Sequence, residues 1–277
     1  MNTHISVPAR EIVDAVLNLI HSQLGEKVPV IGLCGAQGSG KTTLARAVAN
    51  VLAAEGINCA TLSLDDLYLT KAERAGLARR VHPLLETRGV PGTHDVDLGL
   101  AVLDCLVSGS PVELPRFSKA LDDRVPPAEW PVIAAGCQVV LFEGWCVGAR
   151  PQDEAELLSP VNALEQNEDR GGSWRLYANR CLAGRYQDLF KRLDALVLLA
   201  APSFNVVARW RLEQERELGQ GPAVMDGSGV ERFVRHYERL TRHILAEMPR
   251  RADLIAELDD NRRILRLVQR ANSSETR

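Results

Sequence analysis

An octapeptide near the start of the chain has the residue types that hold a nucleoside triphosphate. Gly35-Ala36-Gln37-Gly38-Ser39-Gly40-Lys41-Thr42 fits the pattern GxxxxGK[ST] at every fixed position. Glycines let main-chain N–H groups turn inward around phosphates, and the following helix adds the positive end of its dipole. We predict that this octapeptide and Thr43 bind ATP, that Lys41 reaches the β- and γ-phosphates, and that Thr42 ligates Mg²⁺. The alternative, a glycine-rich turn without a ligand, is disfavoured by the strand-like run before it and the helical stretch after it.

Two acidic residues come directly after apolar, strand-like runs. Asp65 follows the run that ends at Leu64, and Glu143 follows the run that ends at Phe142. Ligands of open parallel sheets bind beyond the carboxyl ends of the strands, so both acids should lie beside the phosphates. We predict Asp65 as the catalytic base for an acceptor hydroxyl, and Glu143 as a second Mg²⁺ ligand. The alternative for either acid alone is a capping role at a helix or turn.

A basic helical stretch predicts a closing lid. Arg209, Arg211 and Arg216 precede the glycine-containing segment 219–222. Phosphoryl transfer develops negative charge on the equatorial oxygens, which a basic helix beside a hinge would stabilise. We predict Arg211 as the catalytic cation. The alternative is a solvated helix face whose arginines pair with neighbouring glutamates.

Five short apolar runs alternate with helical stretches and must position these residues. The runs cover residues 28–34, 59–64, 138–142, 195–200 and 252–258. Such alternation predicts a parallel, doubly wound sheet. The predicted fold class is therefore α/β: a three-layer α/β/α P-loop NTPase with a five-stranded, mostly parallel sheet and helical or lid insertions. An amphipathic helix at about 12–24 precedes the first strand.

We predict one domain over residues 1–277. The long segment 65–136 contains several prolines and one clear helix, 96–107, which Asp95 caps. An insertion of this length usually builds a substrate site. The lid is expected over about 205–228.

Composition excludes several classes of protein. The 277 residues are 45% hydrophobic and 25% charged, with a formal net charge of −3, as is usual for a globular protein. The chain has no basic stripe, so we expect no nucleic-acid partner. The six cysteines form no CxxC pair or zinc-type cluster, so we expect reduced, mostly buried thiols. Without a signal core or a membrane-spanning run, we expect a cytoplasmic monomer or small homo-oligomer with no membrane partner.

Other classes of P-loop protein lack their motifs here. The chain has no NKxD tetrapeptide and no LSGGQ-like signature, and its DxxG at 226–229 comes too late to follow the third strand. These absences disfavour a GTPase and a transporter ATPase. A kinase that transfers the γ-phosphoryl group of ATP to a small hydroxyl-bearing molecule fits the motifs best.

With these motifs laid out, the chain resembles the uridine kinase, phosphoribulokinase and pantothenate kinase group, and more closely the D-glycerate 3-kinase family. The resemblance rests on the phosphate loop and on the blocks at 63–68, 82–85, 88–95, 114–119, 139–145, 210–215 and 233–237. It therefore runs from about residue 30 to residue 237. The block Arg-Gly-Val-Pro-Gly-Thr-His-Asp at 88–95 is the most specific, because the wider group lacks it.

The resemblance implies transfer to the 3-hydroxyl of D-glycerate, giving 3-phosphoglycerate, with ATP and Mg²⁺ as cofactors and Asp65 as general base. The acceptor carboxylate suits Arg88 or Arg116, since either could grip it with two hydrogen bonds. The residues that we predict to bind the acceptor are Asp66, Tyr68, Arg88, His94, Arg116 and Lys119. For His94, a structural turn histidine is the alternative.

Two other functions stay open at this point. One is a kinase for another small sugar acid, a polyol or a nucleoside, which an acceptor screen would separate from a glycerate kinase. The other is an ATP-binding regulatory protein without turnover. The joint presence of Lys41, Thr42, Asp65 and Glu143 argues against the second.

Overall fold

The computed structural model describes residues 9–217 and 227–270, with side chains for all of them except 214–217 and 227–228. In this part of the chain the strands are β1 (Val30–Gly35), β2 (Cys59–Ser63), β3 (Val112–Glu113), β4 (Phe117–Ser118), β5 (Asp123–Arg124), β6 (Val132–Ile133), β7 (Val139–Gly144), β8 (Ala195–Ala200), β9 (Leu254–Leu258) and β10 (Ile264–Gln269). The helices are α1 (Arg10–Gln23), α2 (Lys41–Ala54), α3 (Lys71–Arg80), α4 (Val96–Val107), α5 (Ala163–Glu168), α6 (Ser173–Ala183), α7 (Arg185–Phe190), α8 (Phe204–Glu217) and α9 (Gly227–Glu247).

A six-stranded sheet forms the middle layer, in the order β10-β9-β8-β1-β7-β2. Strands β9, β8, β1, β7 and β2 run parallel to one another. Every residue of β1 is buried, as expected for a parallel strand covered on both faces. One apolar layer joins the sheet to α4, α7 and α9, and the other joins it to α1, α2 and α8. This order places the loop after β1 at the centre of the sheet's carboxyl edge.

The predicted α/β fold with a mostly parallel sheet is confirmed, but the predicted number of strands is wrong. The sixth strand, β10, pairs antiparallel with β9 at the edge of the sheet. Its sequence, Ile-Leu-Arg-Leu-Val-Gln, is neither a continuous apolar run nor a strict alternation, and Leu265 is 69% exposed. A half-solvated edge strand lacks the hydrophobic pattern on which the prediction depended.

The segment 65–136 holds two α-helices and two small two-stranded antiparallel sheets. The predicted helix 96–107 is confirmed as α4, and its Asp95 cap accepts a hydrogen bond from the main-chain N–H of Leu98 at 3.0 Å. Helix α3 was not predicted, although Thr70 and Glu73 form a capping box at its start. Strand β3 pairs with β6, and the β4–β5 hairpin lies between them in the sequence. The β4–β5 hairpin carries Lys119 at its tip.

The predicted lid corresponds in part to α8 and the start of α9. Trp210 of α8 is buried, and its Nε1 donates a hydrogen bond to the carbonyl oxygen of Asp260 at 2.8 Å. The predicted hinge at 219–222 and the side chain of Arg216 lie outside the described part of the chain. Where it is described, α8 is therefore anchored to the loop between β9 and β10.

All six cysteines are free. Cys34, Cys137 and Cys146 are buried, whereas the other three are partly exposed. Burial raises the pKa of the Cys34 thiol to about 12, so this thiol stays protonated. Among residues 9–217 and 227–270, no helix combines the length and the apolar character that crossing a bilayer requires.

Candidate active site

The phosphate loop is the turn between β1 and α2. Gly38 and Gly40 have φ angles of +76° and +93°, which residues with a side chain rarely adopt. At Gly38, a Cβ atom would also lie 2.8 Å from the Cβ of Trp210. At Gly35, a Cβ would lie 2.7 Å from Oγ of Ser39. The conformation of the loop and its close packing against α8 therefore require glycine at these positions.

Thr42, Ser63 and Glu143 meet at the carboxyl edge of the sheet. The hydroxyls of Thr42 and Ser63 each donate a hydrogen bond of 3.0 Å to Oε1 of Glu143. Ser63 and Glu143 are paired residues of β2 and β7, so the register of the sheet sets this contact. Hydroxyl and carboxylate oxygens suit Mg²⁺, which commonly takes one or two carboxylates together with nucleotide phosphates. The three side chains fit the predicted magnesium site.

Within the described residues, no group of three or more His, Cys, Asp or Glu side chains could hold a metal ion. Thr42, Ser63 and Glu143 would leave the other positions around a magnesium ion to water or to phosphate oxygens.

Asp65 lies in the 3₁₀ turn Leu64–Leu67 that follows β2. Its carboxylate accepts hydrogen bonds from Oη of Tyr68 at 2.9 Å and from Nζ of Lys119 at 2.7 Å. Its main-chain N–H donates to Oγ of Ser63 at 3.3 Å, which starts the turn. The side chain keeps 32% exposure. The carboxylate is thus held in place and still open to a ligand.

The charges around Asp65 keep it ionised. Burial alone would raise the pKa of its carboxyl, but Lys119, by charge and hydrogen bonding, and then Lys41 and Tyr68 hold that pKa well below its usual range. Burial and the nearby Asp65 raise the pKa of the Tyr68 hydroxyl well above its usual value, so Tyr68 remains a hydrogen-bond donor. The Lys41 ammonium and the Asp65 carboxylate therefore interact across one site.

A cavity of about 50 Å³ joins the phosphate loop to the turn after β2 and to α9. Its lining residues are Gln37, Lys41, Asp65, Tyr68, Arg88, Lys119, Trp145, Arg211, Phe233 and Tyr237. Seven of these ten residues were predicted for the site from sequence, and the exceptions are Trp145, Phe233 and Tyr237. Four of the side chains are cationic and one is a carboxylate. The cavity can therefore receive an anion close to Asp65.

Aromatic rings position two of the cavity's arginines. The Arg88 guanidinium pairs with the Asp122 carboxylate, and its central carbon lies 5.5 Å from the ring centroid of Phe117. The corresponding carbon of Arg211 lies 5.3 Å from the ring centroid of Phe233. Such cation–π contacts fix the planes of the guanidinium groups.

Three residues predicted to bind the acceptor, Asp66, His94 and Arg116, do not line this cavity. Asp66 accepts hydrogen bonds from the main-chain N–H of Phe117 at 3.0 Å and from Nη1 of Arg116 at 3.1 Å. These contacts anchor the β4–β5 hairpin to the turn that carries Asp65. A role of Asp66 or Arg116 in contacting the acceptor stays a prediction.

His94 is buried behind Tyr68. The two rings stack with centroids 4.5 Å apart, and Nδ1 of His94 shares a hydrogen bond of 2.6 Å with Oη of Tyr186. Burial lowers the pKa of His94 to about 3, against the opposite effect of Asp65. These contacts favour the alternative interpretation, a neutral structural histidine that supports Tyr68.

We expect the protein to lose stability between pH 7 and pH 5 because of two buried histidines. Burial also lowers the pKa of His236, to about 4. Since an exposed histidine has a pKa near 6.5, the unfolded chain takes up protons in this window while the folded chain does not. The free energy of unfolding should fall by about 2 kcal/mol per histidine from pH 7 to pH 5, as urea denaturation would measure. His94→Asn keeps an atom for the Tyr186 hydrogen bond and should remove about half of this drop; an undiminished pH dependence would contradict the prediction.

Two aromatic side chains hold the main chain at Arg88 and Gly89. Oη of Tyr237 donates to the carbonyl oxygen of Arg88, and Nε1 of Trp145 donates to the carbonyl oxygen of Gly89, both at 3.0 Å. Gly89 has a φ angle of +136°, and a Cβ there would lie 2.0 Å from Oη of Tyr237. Glycine is thus required for Tyr237 to approach and for Arg88 to reach the cavity.

A second cavity, of about 480 Å³, lies on the other side of the phosphate loop. Ser39, Gly40 and Thr43 line it together with residues of α1 and residues 261–264, which lead from the loop after β9 into the start of β10. Arg262 ties this connection to the phosphate loop, since its Nε donates to the carbonyl oxygen of Gly38 at 2.7 Å. The cavity adjoins the phosphate loop and is large enough for a heterocycle.

Sequence reasoning assigned no role to Ser63, Trp145, Phe233 or Tyr237. Ser63 could have been found, because it lies near the end of the predicted strand 59–64, at the same edge of the sheet as Asp65 and Glu143. The three aromatic residues have the hydrophobic character of core positions, so their type alone gives no functional signal. Their signal is their place in blocks 139–145 and 233–237, on which the family resemblance rests.

Comparisons with known proteins agree with this geometry. Residues 30–149 match the model of the Phosphoribulokinase / Uridine kinase family. An uncharacterized kinase of Schizosaccharomyces pombe is 37% identical over 238 residues, covering 82% of this chain and 85% of that protein. The chloroplastic D-glycerate 3-kinase of Arabidopsis thaliana is 34% identical over 227 residues, covering 77% of this chain and 47% of that protein.

A solved structure is similar over nearly the whole length. The D-glycerate 3-kinase from Cryptococcus neoformans superimposes with a TM-score of 0.77 at 25% identity, covering 94% of this chain and 99% of that one. The shared sheet, the phosphate loop and the sequence similarity to these kinases lead to one conclusion. The chain is a P-loop kinase, an ATP-dependent phosphotransferase with an alcohol group as acceptor, and it belongs to the D-glycerate 3-kinase family within the phosphoribulokinase and uridine kinase group.

Proposed function

We propose that the protein phosphorylates D-glycerate at its 3-hydroxyl, using ATP and Mg²⁺, and releases 3-phosphoglycerate and ADP. The observation that carries this proposal is the cavity in which Asp65 lies among Lys41, Arg88, Lys119 and Arg211. One carboxylate can orient a hydroxyl, while the surplus of cations suits an acceptor that is itself an acid. The named activity of the Arabidopsis and Cryptococcus relatives supports the same acceptor.

In the proposed reaction, Asp65 accepts the proton of the acceptor hydroxyl as that oxygen attacks the γ-phosphorus. The bond between the γ-phosphorus and the bridging oxygen breaks, and ADP leaves with the bonding electron pair. Lys41 and the main-chain N–H groups at 35–42 stabilise the phosphate charge, and Arg211 adds a cation from α8. Glu143, Thr42 and Ser63 would hold Mg²⁺, which when bound neutralises charge on the β- and γ-phosphate oxygens.

We assign the adenine to the cavity of about 480 Å³ beside the phosphate loop. Its lining by Ser39 and Thr43 supports this assignment, because a nucleotide whose phosphates occupy the loop would extend from there. The connection between β9 and β10 contributes Asn261, Arg262 and Arg263 to the same lining. On this assignment, the insertion at 65–136 serves the acceptor and not the adenine.

An acceptor screen tests the proposal. We expect D-glycerate to raise ADP release more than L-glycerate, other sugar acids, polyols or nucleosides, with ³¹P NMR identifying 3-phosphoglycerate as the product. ADP release with D-glycerate no faster than with ATP alone would exclude this acceptor. If another compound led the screen, the protein would be a kinase for that compound. ATP binding without stimulation by any acceptor would instead indicate a regulatory protein.

A further inference from the structure

The contact between Lys119 and Asp65 raises a problem for the proposed function, on which the following inference rests. In the free protein, the base is ion-paired with Lys119 at 2.7 Å and hydrogen-bonded to Tyr68. A carboxylate held so firmly is a weak proton acceptor, because its basicity falls with its pKa. The pair must therefore separate, or at least weaken, before the hydroxyl proton can transfer to Asp65.

The β4–β5 hairpin is anchored at its base and at Asp122, which pairs with Arg74 and Arg88, so the part that can move is the side chain of Lys119. Its base is fixed by the hydrogen bond from the N–H of Phe117 to Asp66, and by the main-chain hydrogen bond of 2.8 Å from Val125 to Arg116. Asp123 adds a hydrogen bond of 2.9 Å from the N–H of Lys71. Lys119 lies beyond these anchors on a flexible four-carbon stem, and its side chain is 58% exposed. The ammonium group can thus change partner while the hairpin stays in place.

A carboxylate of the acceptor would be a suitable new partner. Lys119 and Arg88 line the same cavity as Asp65, so an acid whose hydroxyl reaches Asp65 brings its negative charge near both cations. Because the Lys119 side chain is 58% exposed, its ammonium can leave Asp65 without becoming buried and unpaired, so a second carboxylate can compete for it. A neutral polyol offers Lys119 no charge in exchange and leaves the pair with Asp65 intact.

We propose that Lys119 determines specificity by changing partners: it neutralises Asp65 in the free protein and moves to the acceptor carboxylate on binding, which frees Asp65 to take the hydroxyl proton. The binding of an acidic acceptor and the activation of the base are then one event. Neutral acceptors of the same size bind without activating the base. Lys119 thus selects for acidity in the acceptor rather than for shape.

The first test compares D-glycerate with glycerol, which replaces the carboxylate by a neutral hydroxymethyl group, in Lys119→Met. We expect kcat/KM for D-glycerate to fall by about 10- to 100-fold, the effect of a hydrogen bond to a charged group. For glycerol it should be unchanged or higher, because Asp65 has lost its competing partner. An equal loss on both acceptors would make Lys119 a structural residue and overturn the proposal. Lys71 is an exposed lysine whose main chain contacts the same hairpin. The matched control Lys71→Met should therefore leave both kcat/KM values unchanged.

A second test needs no turnover. In Asp65→Asn the ammonium is no longer held, so calorimetric titration of the ADP-loaded protein should show D-glycerate binding about two- to fivefold tighter than in wild type. The gain should vanish in the double variant Asp65→Asn/Lys119→Met. No tightening, or an equal tightening in the double variant, would overturn the partner change.

These outcomes are distinct from failure of the proposed function. If wild type neither binds nor phosphorylates D-glycerate, that function fails, and the same comparison is made with the acid that leads the screen and its neutral alcohol analogue. A leading acceptor without a negative charge would overturn the role of Lys119.

Discussion

Asp65→Asn is expected to lower kcat by about 10²- to 10⁴-fold, the contribution of a positioned general base. The amide can still accept the hydrogen bond from Tyr68, but it cannot take a proton and it carries no charge to hold Lys119. Affinity for ATP should change little, because the phosphate loop, Thr42 and Glu143 remain intact. Steady-state kinetics of ADP release, together with titration of the protein with a non-hydrolysable ATP analogue, would separate the two effects.

A nearby carboxylate provides the control for this variant. Asp123 lies in the same insertion and accepts a hydrogen bond from the N–H of Lys71, and asparagine can accept the same bond. Asp123→Asn should therefore keep wild-type turnover. If Asp65→Asn also turned over at the wild-type rate, Asp65 could not be the base, and the mechanism proposed above would be wrong.

Lys41→Met is expected to lower kcat/KM for ATP by about 10²- to 10³-fold, similar to the loss of one donor that stabilises transition-state charge. In the described structure Nζ of Lys41 donates to the carbonyl oxygen of Ala36 at 3.3 Å, so the ammonium lies folded over the loop that would hold the phosphates. Methionine keeps the length and the apolar stem but offers no charge. Kinetics with ATP as the varied substrate would measure the loss.

The matched control for Lys41 lies at the opposite end of the same strand. Lys27 precedes β1 and pairs with Asp194, which also accepts a hydrogen bond from the N–H of Val30 at 2.9 Å. Lys27→Met removes a cation of the same type from the opposite edge of the sheet and should leave kcat/KM unchanged. A comparable loss in both variants would point to a general effect of net charge and not to phosphate binding.

The central part of the site could be predicted because local pattern and chemistry coincide there. The loop at 35–42, Asp65 and Glu143 each lie at the carboxyl end of a strand, and in a parallel sheet these ends must meet at one edge. Helix α4 was predictable for a similar reason, since Asp95 and the apolar spacing after it are short-range signals. Helix α3 had a comparable signal in its capping box, but few of its residues are buried, so it lacks an apolar stripe.

The acceptor side could be predicted only in part, because long-range contacts decide it. Arg88 and Lys119 reach the cavity, whereas Arg116 is drawn to Asp66 and His94 packs against Tyr186. Nothing in the sequence near Arg116 or His94 distinguishes these outcomes, since each partner lies 50 or more positions away. Strand β10 was missed for a different reason, because solvent on its outer side weakens the hydrophobic pattern.

The tether between Tyr237 and Arg88 spans 149 positions of the chain, and this distance orders events during synthesis. The phosphate loop, Asp65 and Glu143 all leave the ribosome well before α9 does. Arg88 emerges early too, but its carbonyl oxygen has no Tyr237 hydroxyl to bind until α9 follows near the end. A nascent chain can therefore contain the phosphate loop, Asp65 and Glu143 before the residues that close the acceptor pocket are made, and a chain that ended before α9 would lack the Tyr237 tether to Arg88.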